Sequence, residues 1–233
     1  MSAVSIAGSV ALVTGGQRGL GKAFTQELLS RGAAKIYVTA RTPKESDDPR
    51  IVPVALEVTD TGAITALAEK LTDVTIVINN AGAGGGAPLL EANLADVKRL
   101  FDINVFGPLE VAKAFAPILK ENGGGALVDI HSALSWASGA GAYGATKAAL
   151  WSITNTLRLD LANQNTLVVG VHLGFADTDL TKSVTAPKIA PSQAAIALAD
   201  ALEAGEIEVL VDDTSRHFKS VLSGPVERLS TRG

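Results

Sequence analysis

Short runs of continuous apolar residues alternate along this chain with stretches of helical periodicity. Residues 10–13, 36–39, 51–56, 74–78, 126–130, 167–171 and 207–211 read as seven strands. Helical spacing covers 22–30 (with Ala23, Phe24, Leu28 and Leu29 on one side), 61–71, a stretch from Asn93, 107–120, 143–162 and 192–203. A short helix follows Thr214. Strands that are apolar on both faces, each followed by a helix, predict a parallel sheet covered on both sides. The expected fold class is therefore α/β, a doubly wound sheet of about seven strands. No shift in composition marks a linker and no fixed period repeats, so one domain over 1–233 is expected. In such sheets ligands bind beyond the carboxyl ends of the strands. Thr14, Arg41, Asn79, Ser132 and Leu173 all follow strands in this reading and share that edge.

Composition narrows the chemistry. With 47% hydrophobic residues but only 4% aromatic, the core must be built mainly from Ala, Val, Leu and Ile. A net charge of −4 argues against nucleic acid as a partner, which calls for a basic face. There is no cysteine, which removes disulfides, thiolate metal sites and cysteine nucleophiles. The three histidines, His131, His172 and His217, lack metal-ligand spacing, so no metal is expected. No apolar run approaches the ~20 residues that span a bilayer, and the amino terminus has no basic leader. The expected setting is the cytoplasm, with no membrane partner.

Two stretches carry candidate chemistry. After the first strand comes Thr14-Gly-Gly-Gln-Arg-Gly-Leu-Gly21, a strand–turn–helix with glycines at 15, 16, 19 and 21. Glycine lets backbone approach a pyrophosphate closely, and the following helix offers free N–H groups and the positive end of its dipole. This is the Rossmann-like feature of the chain, though its spacing is Gly15-x-x-x-Gly19-x-Gly21 and not G-x-G-x-x-G. Where the second strand ends, dinucleotide enzymes place an acidic residue for a ribose 2′-hydroxyl. This chain has Arg41 there, and Arg18 within the turn. Two guanidiniums without a carboxylate suit a 2′-phosphate, so NADP(H) is expected over NAD(H).

The second stretch is Tyr143-Gly-Ala-Thr-Lys147. On a helix these two residues share a face, so the Lys147 ammonium is expected to favour the Tyr143 phenolate and lower a pKa of about 10. A phenol so tuned passes a proton to or from an alcohol or carbonyl oxygen.

Taken together and in order, these motifs resemble the short-chain dehydrogenase/reductase family over nearly the whole chain. The glycine turn matches the family's glycine motif, and Asn79-Asn-Ala-Gly82 its fourth-strand motif. Asn104, in Phe101-Asp-Ile-Asn-Val105, resembles its catalytic-network asparagine. Ser132 resembles its substrate-orienting serine, and Tyr143 with Lys147 its Tyr-x-x-x-Lys. The resemblance implies that Ser132 holds the substrate oxygen, Tyr143 acts as general acid in reduction and base in oxidation, and Lys147 binds the nicotinamide ribose. It also implies that Asn104 organises a proton-supplying water chain. The implied cofactor cradle comprises Gly15, Gln17, Arg18, Gly19, Leu20 and Gly21 of the turn, with Arg41, Glu57, Val58, Asn80, Ala81 and Gly82. Tyr143, Lys147, Gly174, Ala176 and Thr178 complete it.

Several positions depart from the family pattern. Glu57 stands where Asp usually meets the adenine amino group, leaving that contact to the longer carboxylate or to the Val58 backbone. Leu173-Gly174 replaces Pro-Gly, and the segment from Ser132 to Tyr143 is a couple of residues short. Ser135 is the rival serine, but Ser132 follows the strand directly. His131 reads as a polar strand-end residue, because its side chain alternates away from that of Ser132 and there is no Gly-x-Ser-x-Gly elbow. Asp102 reads as a solvated helix residue. Trp136 either lines the pocket or packs against a neighbouring loop.

Residues 179–190 are expected to form a lid, and Val184, Ala186 and Ile189 with Leu134, Trp136 and Phe175 suggest an apolar pocket. The expected activity is an NADPH-dependent carbonyl reductase or alcohol dehydrogenase for a small or medium hydrophobic ketone, aldehyde or secondary alcohol. A non-catalytic NADP-binding redox sensor and a hydride-independent lyase or epimerase are the alternatives. A homodimer or homotetramer through the 107–120 and 143–162 helices is implied by the resemblance.

Overall fold

In the computed structural model, residues 3–231 are described, so the expected 1–233 domain span reaches beyond them at both ends. The seven strands are β1 (Val10–Val13), β2 (Lys35–Ala40), β3 (Ile51–Ala55), β4 (Ile76–Asn79), β5 (Gly125–Ile130), β6 (Thr166–His172) and β7 (Glu208–Leu210). They form one sheet in the order β3-β2-β1-β4-β5-β6-β7, with every pairing parallel. The order reverses between β1 and β4, which opens a crevice at their carboxyl ends. The helices are α1 (Gly19–Ser30), α2 (Thr61–Ala68), α3 (Leu94–Phe101), α4 (Gly107–Glu121), α5 (Gly141–Asp160), α6 (Pro191–Ala204) and α7 (Asp213–Val221). The Rossmann-like α/β class read from the sequence is the class observed.

Alternation along the strands builds two cores. Ala11, Val13, Ile76, Ile78, Val128, Val169 and Val171 face α1 and α6, where Phe24, Leu28 and Leu198 close the layer. Leu12, Val77, Leu127 and Val168 face the other way, onto Ile64, Val111, Phe115 and Leu119. Period-2 side-chain direction makes this possible, and parallel strands need it because both faces are covered. A small third cluster of Ala133, Trp136 and Phe218 lies beyond the end of β5.

Element ends differ from the sequence reading by a few residues. Strand β3 stops before Leu56, β4 begins at Ile76 and not Val74, and β7 is three residues long. Helix α1 begins at Gly19 and not Lys22, because the Lys22 N–H already bonds the Arg18 carbonyl across the end of the glycine turn, whereas α2 stops at Ala68. Between α3 and α4, residues Asp102–Phe106 form a π-turn, with the Gly107 N–H bonded to the Asp102 carbonyl five residues back. Pro108 has no N–H to offer the Asn104 carbonyl four residues earlier, which gives this irregularity a cause in the sequence.

Candidate active site

The crevice is held open by a few side chains. The Thr14 hydroxyl at the end of β1 accepts from the backbone N–H groups of Asn80 and Ala81, both at 3.0 Å. The Asn80 side chain donates to the carbonyls of Thr14 (2.8 Å) and Gly15 (3.2 Å), so it braces the turn. Gly15 (φ 64°) and Gly19 (φ 52°) occupy the left-handed region, where glycine is at home. A Cβ at Gly21 would collide with the Gly15 carbonyl and the Asn80 amide. Arg18 is the N-cap of α1, makes no side-chain cap bond, and no acid occupies the first turn. An uncapped helix end beside a braced glycine turn fits a pyrophosphate. The Leu20 side chain packs against the core below it.

Around the adenosine end the geometry is looser. The Arg41 side chain is 78% exposed, with Nε 4.0 Å from the Glu57 carboxylate. The carboxamide of Gln17 bonds both the carbonyl and the N–H of Lys44, the latter at 2.9 Å. That clamp brings a third cation, Lys44, into the loop beside the turn. The sequence reading missed it, although Lys44 stands only three positions past Arg41. Val58 is buried beneath Gly107, and Glu57 is half-exposed.

The proton-transfer candidates lie along one stripe of α5. Tyr143, Lys147, Leu150 and Thr154 recur at helical spacing, and the stripe runs against the end of β5 in reverse. Thr154 Oγ1 meets Asp129 Oδ2 at 2.7 Å, and Lys147 Nζ donates to the Ile130 carbonyl at 2.7 Å. Ser132 lies beside the Tyr143 phenol and favours its ionisation. Ser132 is buried and also accepts from the Leu134 N–H at 3.2 Å, capping a short 3-10 turn. Asn104 lies in the π-turn, and its carboxamide is fully engaged: it accepts from the Ala83 N–H and donates to the Ala83 carbonyl, both at 2.8 Å, and donates to Thr146 Oγ1 at 3.1 Å. It thus ties the loop containing Gly82 to α5.

The electrostatics correct one expectation. The Tyr143 pKa is raised, because burial opposes phenolate more than the neighbouring Ser132 hydroxyl supports it. Lys147 does not offset this. Its ammonium sits 5.9 Å from the Tyr143 ring centroid and is directed at the Ile130 carbonyl. Burial also lowers the Lys147 pKa to about 8, a shift that an ionised Asp129 would oppose.

In the segment after β6, Thr178 lies against Gly19, and Leu180 lies against Gly84 in the loop after β4. Asp179–Thr181 is a 3-10 turn, and Ile189 rejoins the body by backbone bonds to Phe175 and Asp177. Gly174 donates its N–H to Asp212 Oδ2 at 2.6 Å, an acceptor the sequence reading did not anticipate. Ala176 is buried and bridged to Ile189. Val184 is half-buried and Ala186 exposed.

Two rival residues are core groups. His131 and His172 stack at 4.6 Å, and Trp136 stacks on His172 at 4.1 Å. Trp136 is therefore packing, not pocket lining. His131 stands at the strand end, as expected, but it is buried, with neither ring nitrogen partnered and its pKa driven down by burial. The Ser135 hydroxyl is likewise buried without a partner. Asp102 is exposed but lies in the π-turn. Among the described residues there is no group of three or more His, Cys, Asp or Glu that can hold a metal, and no helix is long and apolar enough to cross a membrane.

A family model described as short chain dehydrogenase matches residues 9–189, a span that contains the glycine turn, Ser132, Tyr143, Lys147 and Thr178. The chain belongs to the short-chain dehydrogenase/reductase family, and so to the oxidoreductases. It is 35% identical to a short chain dehydrogenase from Burkholderia cenocepacia J2315, solved in complex with NADP, over 97% of each chain with a TM-score of 0.90. It is 29% identical over 196 residues to the 7alpha-hydroxysteroid dehydrogenase of Escherichia coli (strain K12), covering 78% of this chain and 76% of that one. It is 30% identical over 213 residues to the 1-deoxy-11-beta-hydroxypentalenate dehydrogenase of Streptomyces avermitilis, covering 84% and 79%.

Proposed function

We propose that this protein is an NADP(H)-dependent carbonyl reductase or alcohol dehydrogenase, with a small or medium hydrophobic ketone, aldehyde or secondary alcohol as substrate. The observation that carries the reading is the meeting of Ser132, Tyr143 and Lys147 at the carboxyl edge of the sheet, one helix turn of α5 spanning the last two. Arg18, Arg41 and Lys44 around the turn favour a 2′-phosphate. The NADP complex of the Burkholderia cenocepacia relative agrees with that choice. The glycine turn and the first turn of α1 would hold the pyrophosphate. Gly174 and Thr178 lie on the side where the nicotinamide amide would sit. Bound there, the nicotinamide supplies or accepts the hydride.

The side chains do the rest. Ser132 holds the substrate oxygen against Tyr143. The raised Tyr143 pKa keeps the phenol protonated at neutral pH, the state required of a general acid in reduction. Lys147 would bind the nicotinamide ribose from one helix turn further along α5. Residues 179–190 form the lid, and apolar Phe175, Val184 and Leu180 favour an uncharged substrate. The relatives named for a hydroxysteroid and a hydroxypentalenate fit a secondary alcohol on an apolar frame. The proposed setting is the cytoplasm and the proposed assembly a homodimer or homotetramer.

The test is NADPH oxidation by the purified protein against a ketone and aldehyde panel. Tyr143→Phe is expected to lower kcat by at least about 10³-fold and to leave NADPH affinity nearly unchanged. Substantial residual turnover in that variant, or a panel without a single substrate despite tight NADPH binding, would overturn the reading. Reduction should fall as pH rises past about 8, where Lys147 gives up its charge, whereas alcohol oxidation should climb with pH toward the phenolate.

A further inference from the structure

Asp129 is the only acidic side chain among the described residues that is buried, with 1% exposure at the end of β5. It is the strand-register partner of Asn79 on β4. Every hydrogen around it can be assigned. The Asn79 Nδ2 group has two, one directed to the Pro108 carbonyl at 3.1 Å and the other to Asp129 Oδ1 at 2.9 Å. Turning that carboxamide over would set its oxygen against the Pro108 carbonyl, so the orientation is settled by its neighbours.

The other carboxyl oxygen, Oδ2, lies 2.7 Å from Thr154 Oγ1, and the same Thr154 oxygen lies 2.8 Å from the Leu150 carbonyl. A hydroxyl has one proton and cannot donate to both. If Asp129 is ionised, Thr154 must point its proton at the carboxylate, leaving two oxygen lone pairs facing each other at 2.8 Å inside α5. If Asp129 carries a proton, the chain closes without conflict: Asp129 O–H donates to Thr154, and Thr154 O–H donates to Leu150.

The cations nearby favour the ionised acid by their charge but direct their hydrogens elsewhere. Lys147 donates to the Ile130 carbonyl, and Arg158 donates to the carbonyls of Val168 and Ile207 and to Asn155. From the remaining packed elements the titratable groups are His131, on its own strand end, and His172 on β6, both held neutral by burial. Desolvation outweighs the Thr154 and Asn79 hydrogen bonds and the Lys147 and Arg158 charges and raises the Asp129 pKa, in agreement with the hydrogen count.

We propose that Asp129 is a positioning residue that keeps its proton, bolting the end of β5 to the helix of Tyr143 and Lys147 as a neutral acid and giving Lys147 no counter-charge. The Asp129–Thr154 bond sets the register of the α5 stripe, on which Lys147 reaches Ile130 and Tyr143 reaches Ser132. Because the carboxyl is neutral, the Lys147 charge is left without a counter-ion and free to act on the cofactor side. The catalytic meaning of this arrangement rests on the reductase reading, but the protonation state does not.

Infrared spectroscopy of the wild-type protein, without substrate, at pH 8 in D₂O tests the assignment. Solvated carboxyls are ionised there, so a carboxylic-acid C=O band should remain and should vanish in Asp129→Asn. Its absence in the wild type would overturn the proposal and leave the reductase reading standing. Asp129→Ala should lower kcat with little change in KM. Asp129→Asn, whose amide donates and accepts as the acid does, should restore most of kcat and leave the pH profile where it was. An alkaline limb displaced downward by about one unit or more in Asp129→Asn would show that Asp129 is the ionised counter-ion of Lys147, and would equally overturn it.

Discussion

At the scale of single residues, the charge proposed to serve catalysis at Lys147 opposes stability. Its pKa falls from 10.5 to about 8 on burial, so the folded chain binds fewer protons than the unfolded chain between those values. Stability therefore rises with pH across that window, and at pH 7 holding the charge costs about 3 kcal/mol. Lys147→Met should abolish turnover yet raise the melting temperature at pH 7, a gain that shrinks toward pH 10; thermal unfolding at the two pH values checks the sign. Arg41 makes a second prediction. Arg41→Asp places a carboxylate where a 2′-phosphate is proposed to lie, and the NADPH:NADH ratio of kcat/KM should drop at least about tenfold, or 1.4 kcal/mol. An unchanged ratio would assign the phosphate to Arg18 and Lys44. Both residues were legible in the sequence, Lys147 by its spacing from Tyr143 and Arg41 by its place after β2. The direction of the Tyr143 pKa was not, because burial depends on segments far apart in the chain and not on helical spacing.

At the scale of elements, α1 and α6 are the pair that shapes the cofactor end, because α1 starts at the glycine turn. Their polar fastening is one residue: Arg31 bonds Glu27 on its own helix and Asp200 and Glu203 on α6, each at 2.7–2.8 Å. Single exposed pairs contribute less than about 1 kcal/mol, but here one guanidinium, itself 21% exposed, serves three carboxylates. Arg31→Ala should lower stability by about 1–2 kcal/mol, read as a denaturation midpoint, with the difference smaller in high salt. Helix existence and type followed from periodicity in every case. The π-turn did not, although Pro108 four positions past Asn104 is a readable reason for it. Nor did the reversed match between α5 and β5, since helical spacing lines up Tyr143, Lys147 and Thr154 without naming the residues they meet.

At the scale of the molecule, the outer faces of the proposed interface helices expose Phe106 (52%) at the start of α4 and Leu159 (76%) near the end of α5. Beside Phe106 a hollow of about 500 Å³ is lined by Val97, Lys98, Phe101 and Asp102. It contains none of the candidate catalytic side chains. The proposed assembly predicts a dimer or tetramer by light scattering, and the double variant Phe106→Glu/Leu159→Glu should run as a monomer. A wild-type monomer would remove the assembly from the reading without touching the chemistry.

What the sequence determined by itself is whatever depends on neighbours along the chain: strand and helix from apolar periodicity, the turn from its glycines, and the Tyr143–Lys147 face from the pitch of a helix. Continuously apolar strands, each followed by a helix, then implied a covered parallel sheet, and with it the edge on which Thr14, Ser132 and the turn would meet. The tertiary structure decided what depends on residues far apart in sequence. Gln17 holds Lys44 across 27 positions, Asn104 holds Thr146 across 42, and Thr154 meets Asp129 across 25. Burial belongs to the same class. His131 became a core residue, Tyr143 a phenol that keeps its proton, and Lys147 an ammonium held at a cost, because each was closed in by segments that local pattern cannot place.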